Sequence, residues 1–208
     1  MVPLMIDFED KLVVIYGGGS VGLRKARTFC KAGARVKVVS KTFSRGFDSL
    51  PARRVMASSS EGLRAMDGAF LVVAATDDPA ENSRIARSCR KRSIMCNSVD
   101  DPASEVYFSS NVQRGPLVIG ISTRGESPAL SKAVRLRIEK VIGPEWGRMA
   151  VLQAHVRARL KGSKLSQPSR RNVIYRVLRD KQIWKALEEG DLKKARKLAS
   201  ERYLGDST

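Results

Sequence analysis

Six residues near the start of the chain, Gly17-Gly18-Gly19-Ser20-Val21-Gly22, have the types and spacing to bind a dinucleotide. They form a GxGxxG fingerprint, and what precedes it is the apolar, β-branched run Leu12-Val13-Val14-Ile15-Tyr16. Gly17 would permit the tight turn out of a strand, Gly19 the close approach of backbone to a pyrophosphate, and Gly22 the packing of the following helix on the sheet. The free amides and positive dipole end of that helix, starting with Ser20 and Val21, would supply the anion donors. A glycine-rich turn without ligand is the bland alternative. Strand, glycines and helical spacing in register argue against it.

Two further strand ends belong to the same expected crevice. About twenty residues beyond the glycines, where an acidic side chain commonly holds the NAD ribose, the chain has Val39-Ser40-Lys41-Thr42. Ser40, Thr42 and backbone are alternative ribose partners. Lys41 and Arg45 would favour a 2′-phosphate or stand as solvated charges, so these residues leave NAD against NADP open. The second is Val72-Val73-Ala74-Ala75-Thr76-Asp77-Asp78-Pro79, a buried strand running into a polar turn. Thr76 is a candidate cofactor contact there, and Asp77 or Asp78 serves equally well as a helix cap. Asp100, in Asn97-Ser98-Val99-Asp100-Asp101-Pro102, is either a turn residue or a proton acceptor. Ser127 before Pro128 reads as an N-cap whose helix amides are also able to receive a carboxylate.

The elements that must position these residues follow from periodicity. Short β-branched runs at Leu12–Tyr16, Val36–Val39, Phe70–Ala75 and Ser93–Cys96 alternate with helical patterns after Ser20 and Pro79, which implies a parallel sheet with crossover helices. Strand-like runs at Glu105–Phe108 and Leu117–Ser122 flank the turn signal Arg114-Gly115-Pro116 and are expected to form a hairpin or a subunit-pairing ribbon. From Ser127 onward the chain reads helical, with breaks near Gly143-Pro144 and Gly162–Ser169.

Composition narrows the class of protein. The chain has 208 residues, 42% hydrophobic, enough for a buried core, and a net charge of +18. Residues 1–130 hold 19 basic and 13 acidic side chains, and 131–208 hold 20 and 8, so the tail carries +12. Cys30, Cys89 and Cys96 form no Cys-x-x-Cys pair, and with His155 the only histidine, no metal site is expected. No apolar run reaches the ~18 residues of a membrane span, and Asp7, Glu9 and Asp10 stand where a signal peptide would be basic then apolar, so a cytoplasmic protein is expected. No tyrosine is followed by lysine at the Tyr-x-x-x-Lys spacing of short-chain dehydrogenases. A basic nucleic-acid-binding module is the rival reading of the tail, but its aromatics Trp146, Tyr175, Trp184 and Tyr203 are too scattered for a base-stacking platform.

Four blocks taken together resemble the precorrin-2 dehydrogenase/sirohydrochlorin ferrochelatase family, the dehydrogenase part of siroheme synthase. They are Gly17–Ala26, Ala74–Asp78, Cys96–Pro102 and Gly115–Leu130, and they run in the family's order. The resemblance implies NAD-dependent oxidation of precorrin-2 to sirohydrochlorin by a homodimer, with iron insertion as a second activity in some relatives. Ser20, Val21, Lys41 and Thr42 fall where the family contacts NAD, and Asp100 matches its catalytic aspartate. A departure is Ser109-Ser110-Asn111, where relatives often carry a proline-containing turn. The expected architecture is a Rossmann-type doubly wound parallel sheet over 1–112, a dimerisation segment over 113–144 and a small, basic, all-α domain over 145–208. A non-catalytic protein that senses NAD or binds a tetrapyrrole is the remaining alternative.

Overall fold

A computed structural model describes residues 2–59, 61–99 and 104–205. The chain divides into two compact units, Met1–Tyr107 and Phe108–Thr208.

The first unit is built on five parallel strands: β1 (Leu12–Tyr16), β2 (Arg35–Ser40), β3 (Ala52–Met56), β4 (Leu71–Ala74) and β5 (Met95–Ser98), in the spatial order β3-β2-β1-β4-β5. Helices α1 (Ser20–Lys31) and α2 (Pro79–Lys91) make the crossovers β1-to-β2 and β4-to-β5. Side chains alternate across a strand, and both faces of this sheet are covered, so β1 is apolar throughout. Val13 and Ile15 pack with Ala26 and Phe29 of α1, while Val14 and Tyr16 pack with Ile85 and Cys89 of α2. All four β1 residues are fully buried.

Two elements differ from the sequence expectation. β3 is an edge strand whose Arg53 and Arg54 are exposed, and that charge conceals a strand in the sequence while protecting a free sheet edge. The ribbon's first strand is β6 (Ser110–Arg114), not Glu105–Phe108; it pairs antiparallel with β7 (Leu117–Ile121). The 105–108 segment lies instead against β5: the Val106 amide donates to Cys96 O at 3.2 Å and Asn97 Nδ2 donates to Val106 O at 2.7 Å. Val106 is apolar because it packs on the first unit's core, not because it belongs to the ribbon.

The second unit continues with α3 (Pro128–Val141), α4 (Pro144–Lys161), α5 (Gln167–Arg179), α6 (Lys181–Glu188) and α7 (Leu192–Ala199). Met149, Leu152, Val156 and Leu160 form the α4 stripe, on which Val177, Ile183, Leu187 and Ala195 close. Asp180 ends α5 and caps α6, accepting from the amides of Gln182 and Ile183. No helix among the described residues is long and apolar enough to cross a membrane.

Candidate active site

In the first unit, β2 and β4 lie on opposite sides of β1, so the chains leaving β1 and β4 part at its C-terminal end. This is the switch point at which open α/β sheets bind ligands. A cavity of about 700 Å³ lies here, lined by Gly17–Val21 from the β1–α1 turn, Ser40–Thr42 after β2, Ala57–Ser59 after β3, and Ala75–Asp78 with Glu81 after β4. The structure therefore brings Gly17, Gly19, Ser20, Val21, Lys41, Thr42 and Thr76 to one cavity.

The turn is shaped by close backbone contacts. Gly17 has φ +118°, and a Cβ there would lie 2.2 Å from Ala75 O. Gly22 sits beneath the turn, where a Cβ would lie 2.0 Å from Gly17 O; its role is packing, as the fingerprint requires. By contrast, a Cβ on Gly19 would meet nothing within 4 Å beyond its own neighbours. The space above Gly19 is thus open on the cavity side. Gly19 is also the N-cap of α1, which has neither a side-chain cap nor an acid in its first turn. α2 differs: Asp78 Oδ1 accepts from the Ala80 amide at 2.8 Å. An uncapped, positively polarised helix end facing open space suits a pyrophosphate, so the residues present fit a dinucleotide.

The remaining walls are held by side chains. Thr76 Oγ1 lies 2.8 Å from Asn82 Oδ1 and 3.1 Å from Asp78 O, so its hydroxyl is committed to the turn. Asn82 also accepts from the Thr76 amide at 3.0 Å and donates to Thr76 O at 3.1 Å. Buried at 1% exposure, Asn82 is a residue that sequence reasoning missed; its signal, an Asn within the first turn of a capped helix, is indistinguishable from a solvated one. Tyr16 Oη donates to Gly62 O at 2.9 Å, tying the turn Glu61–Met66 to the end of β1. Burial raises the Tyr16 phenol well above its ordinary 10.0, so it stays a donor. Glu61 in turn accepts from the Ser58 amide at 2.9 Å and from Ser58 Oγ at 2.6 Å, and these bonds, aided by Lys41, hold its carboxyl below the ordinary range.

β5 ends at Ser98, paired with Ala74, on the same C-terminal edge of the sheet. Asp100 lies outside the described residues. Ser127 belongs to the second unit: its Oγ accepts from the Leu130 amide at 3.1 Å, its own amide donates to Thr123 Oγ1, and it caps α3.

A family model described as "Putative NAD(P)-binding" matches residues 4–110, the span that holds this cavity. The chain is 39% identical over 197 residues to a precorrin-2 dehydrogenase of Methanosarcina barkeri, covering 90% of this chain and 87% of that protein. This chain belongs to the precorrin-2 dehydrogenase family. A siroheme synthase of Photobacterium profundum is 31% identical over 173 residues, which cover 82% of this chain and 37% of that protein. The chain therefore spans under half the length of the siroheme synthases it matches. Among solved structures, SirC, a precorrin-2 dehydrogenase, superposes with a TM-score of 0.78 at 20% identity, over 97% of this chain and 100% of its own. The likeness in fold therefore extends beyond the span of the nucleotide-binding match.

Proposed function

We propose that this chain oxidises precorrin-2 to sirohydrochlorin with NAD, in the cytoplasm. The observation that carries this reading is the open cavity over Gly19 at an uncapped helix end, in a chain of this family. Oxidation removes two hydrogens from the reduced macrocycle, one as hydride and one as proton. Bound NAD supplies the hydride acceptor. Asp100 takes the proton, the role a carboxylate beside the nicotinamide would fill. Ser20 and Val21 would present their amides to the pyrophosphate, and Lys41 and Thr42, after β2, would hold the adenosine ribose. Thr76 shapes the opposite wall. Ser127 and the free amides at the start of α3 would receive a substrate carboxylate.

The test is anaerobic conversion of precorrin-2 with NAD, followed by NADH absorbance, in wild type and Asp100→Asn. We expect sirohydrochlorin formation in the wild type and a loss of at least ~100-fold in the variant. Binding of NADH without turnover by the wild type would overturn catalysis in favour of a sensor or carrier. Adding ferrous iron to the same reaction tests metal insertion into the product.

The same reading makes the protein a homodimer, with 113–144 as the pairing segment between a nucleotide domain over 1–112 and a basic helical domain over 145–208. Its support is exposed apolar surface: Val118 on β7 and Leu130, Leu136 and Val141 on α3 are 41–71% exposed. Sedimentation at micromolar concentration is expected to give a dimer, and a dimer weakened by Leu136→Glu; monomer alone in the wild type would remove this part.

A further inference from the structure

The end of β2 presents a contradiction. Ser40-Lys41-Thr42 lacks the acid that commonly selects NAD, and a lysine at that place would welcome the 2′-phosphate of NADP. A negative charge does stand nearby, but it comes from the next strand. Ser40 pairs with Met56 of β3, and the Ala57 amide donates to Ser40 O at 3.2 Å, so the chain leaving β3 runs beside the end of β2. Ser58 and Ser59 there line the cavity together with Lys41. The Glu61 carboxylate is clamped on Ser58 by two hydrogen bonds, and the Glu61 amide donates to Ser58 Oγ at 3.3 Å. Its position is fixed from the other side by Gly62, whose carbonyl accepts from buried Tyr16 and whose Cβ, if present, would lie 2.5 Å from Val39 Cγ1. Glu61 is thus tethered to Ser58 at the exposed rim of the cavity, close to the ends of β1 and β2.

We propose that Glu61 selects NAD over NADP: its carboxylate, clamped on a cavity-lining serine beside Lys41, offsets the lysine and repels a 2′-phosphate at the end of β2. A ribose hydroxyl is neutral and escapes this penalty. A phosphate gains from Lys41 and loses to Glu61. The inference rests on the dinucleotide reading of the cavity.

Anisotropy titration with NADH and NADPH tests it in wild type, Glu61→Gln, Lys41→Gln and the double variant. Gln at the third position of a capping box keeps the acceptor for the Ser58 amide, so an unchanged melting temperature is expected for Glu61→Gln. Wild type should bind NADH more tightly than NADPH. Glu61→Gln should tighten NADPH about five- to tenfold with NADH changed by less than about twofold, and the gain should shrink in 0.5 M NaCl, as expected of charges at a solvent-exposed site. Lys41→Gln should weaken NADPH and, in the double variant, cancel most of the gain. An unchanged NADH-to-NADPH ratio in Glu61→Gln, with NADH still bound, would overturn the role of Glu61 alone. Failure of the wild type to bind either nucleotide would overturn the dinucleotide reading and the inference with it.

Discussion

Gly19 and Gly22 stand three residues apart and should fail in different ways when given a methyl group. At Gly22 the added carbon would lie 2.0 Å from Gly17 O, a backbone atom, so helix α1 must shift on the sheet. We expect Gly22→Ala to lose about 1–3 kcal/mol of stability, the usual range for overpacking. At Gly19 the methyl meets no protein atom but enters the space open to a pyrophosphate. Gly19→Ala should therefore keep the wild-type melting temperature and bind NADH at least about tenfold more weakly. Thermal melts paired with NADH titration separate the two outcomes; equal loss of stability in both variants would contradict this division of labour. The glycines were legible in the sequence because each requirement is local: a turn, an approach, a packing contact. Asn82 and Glu61 were not, because each bonds across a turn, to Thr76 and to Ser58, and neither residue type at its own position announces such a bond.

At the scale of elements, the helical unit depends on one carboxylate. Asp180 caps α6 through two amides and also accepts from Tyr203 Oη at 2.7 Å and Arg202 Nη1 at 2.9 Å, in the turn Ser200–Leu204 that follows α7. Burial of this carboxyl works against its ionisation, but the bonds from Tyr203, Arg202 and the two amides outweigh it, and its pKa lies below the ordinary 3.8. The depressed pKa means that the unfolded chain binds the proton more readily, so the network contributes in full above about pH 3.8 and is lost as pH falls through the lowered value. Asp180→Asn is expected to cost about 1–3 kcal/mol at pH 7 and progressively less below pH 3.8. Denaturant melts at pH 7, 4 and 3 read that convergence, and a constant gap would refute it. An aspartate between two helical patterns was readable as a cap; its second role, joining α6 to the turn after α7, needs the fold. Strands were legible where both faces are buried, as in β1 and β4, and illegible where charged or polar residues break the apolar run, as with Arg53-Arg54 in β3 and all but Val112 in β6.

Over the whole molecule, charge is distributed in a way that local structure does not require. Residues 131–208 carry +12 against +6 for 1–130, and like charges raise the cost of the compact state. Part of that charge stands without an acidic partner: Arg171 and Arg179 both stack on Tyr175, which is 43% exposed, and no ion pair reaches either among the described residues. Such a surface raises the encounter rate with a polyanion, and precorrin-2 carries carboxylates around its rim. Steering acts before the chemical step, so its signature is in kcat/KM and not in kcat. Between 50 and 500 mM NaCl the screening length falls from about 14 to about 4 Å. We expect kcat/KM for precorrin-2 to fall by about tenfold or more over that range, with kcat held within about twofold. Reversing two charges, in Arg171→Glu/Arg179→Glu, should lower kcat/KM at 50 mM and flatten its dependence on salt, whereas wild type and variant should converge at 500 mM, where the field of the tail no longer reaches beyond its own surface. A wild-type kcat/KM indifferent to salt would separate the basic tail from substrate capture and leave its charge to another partner.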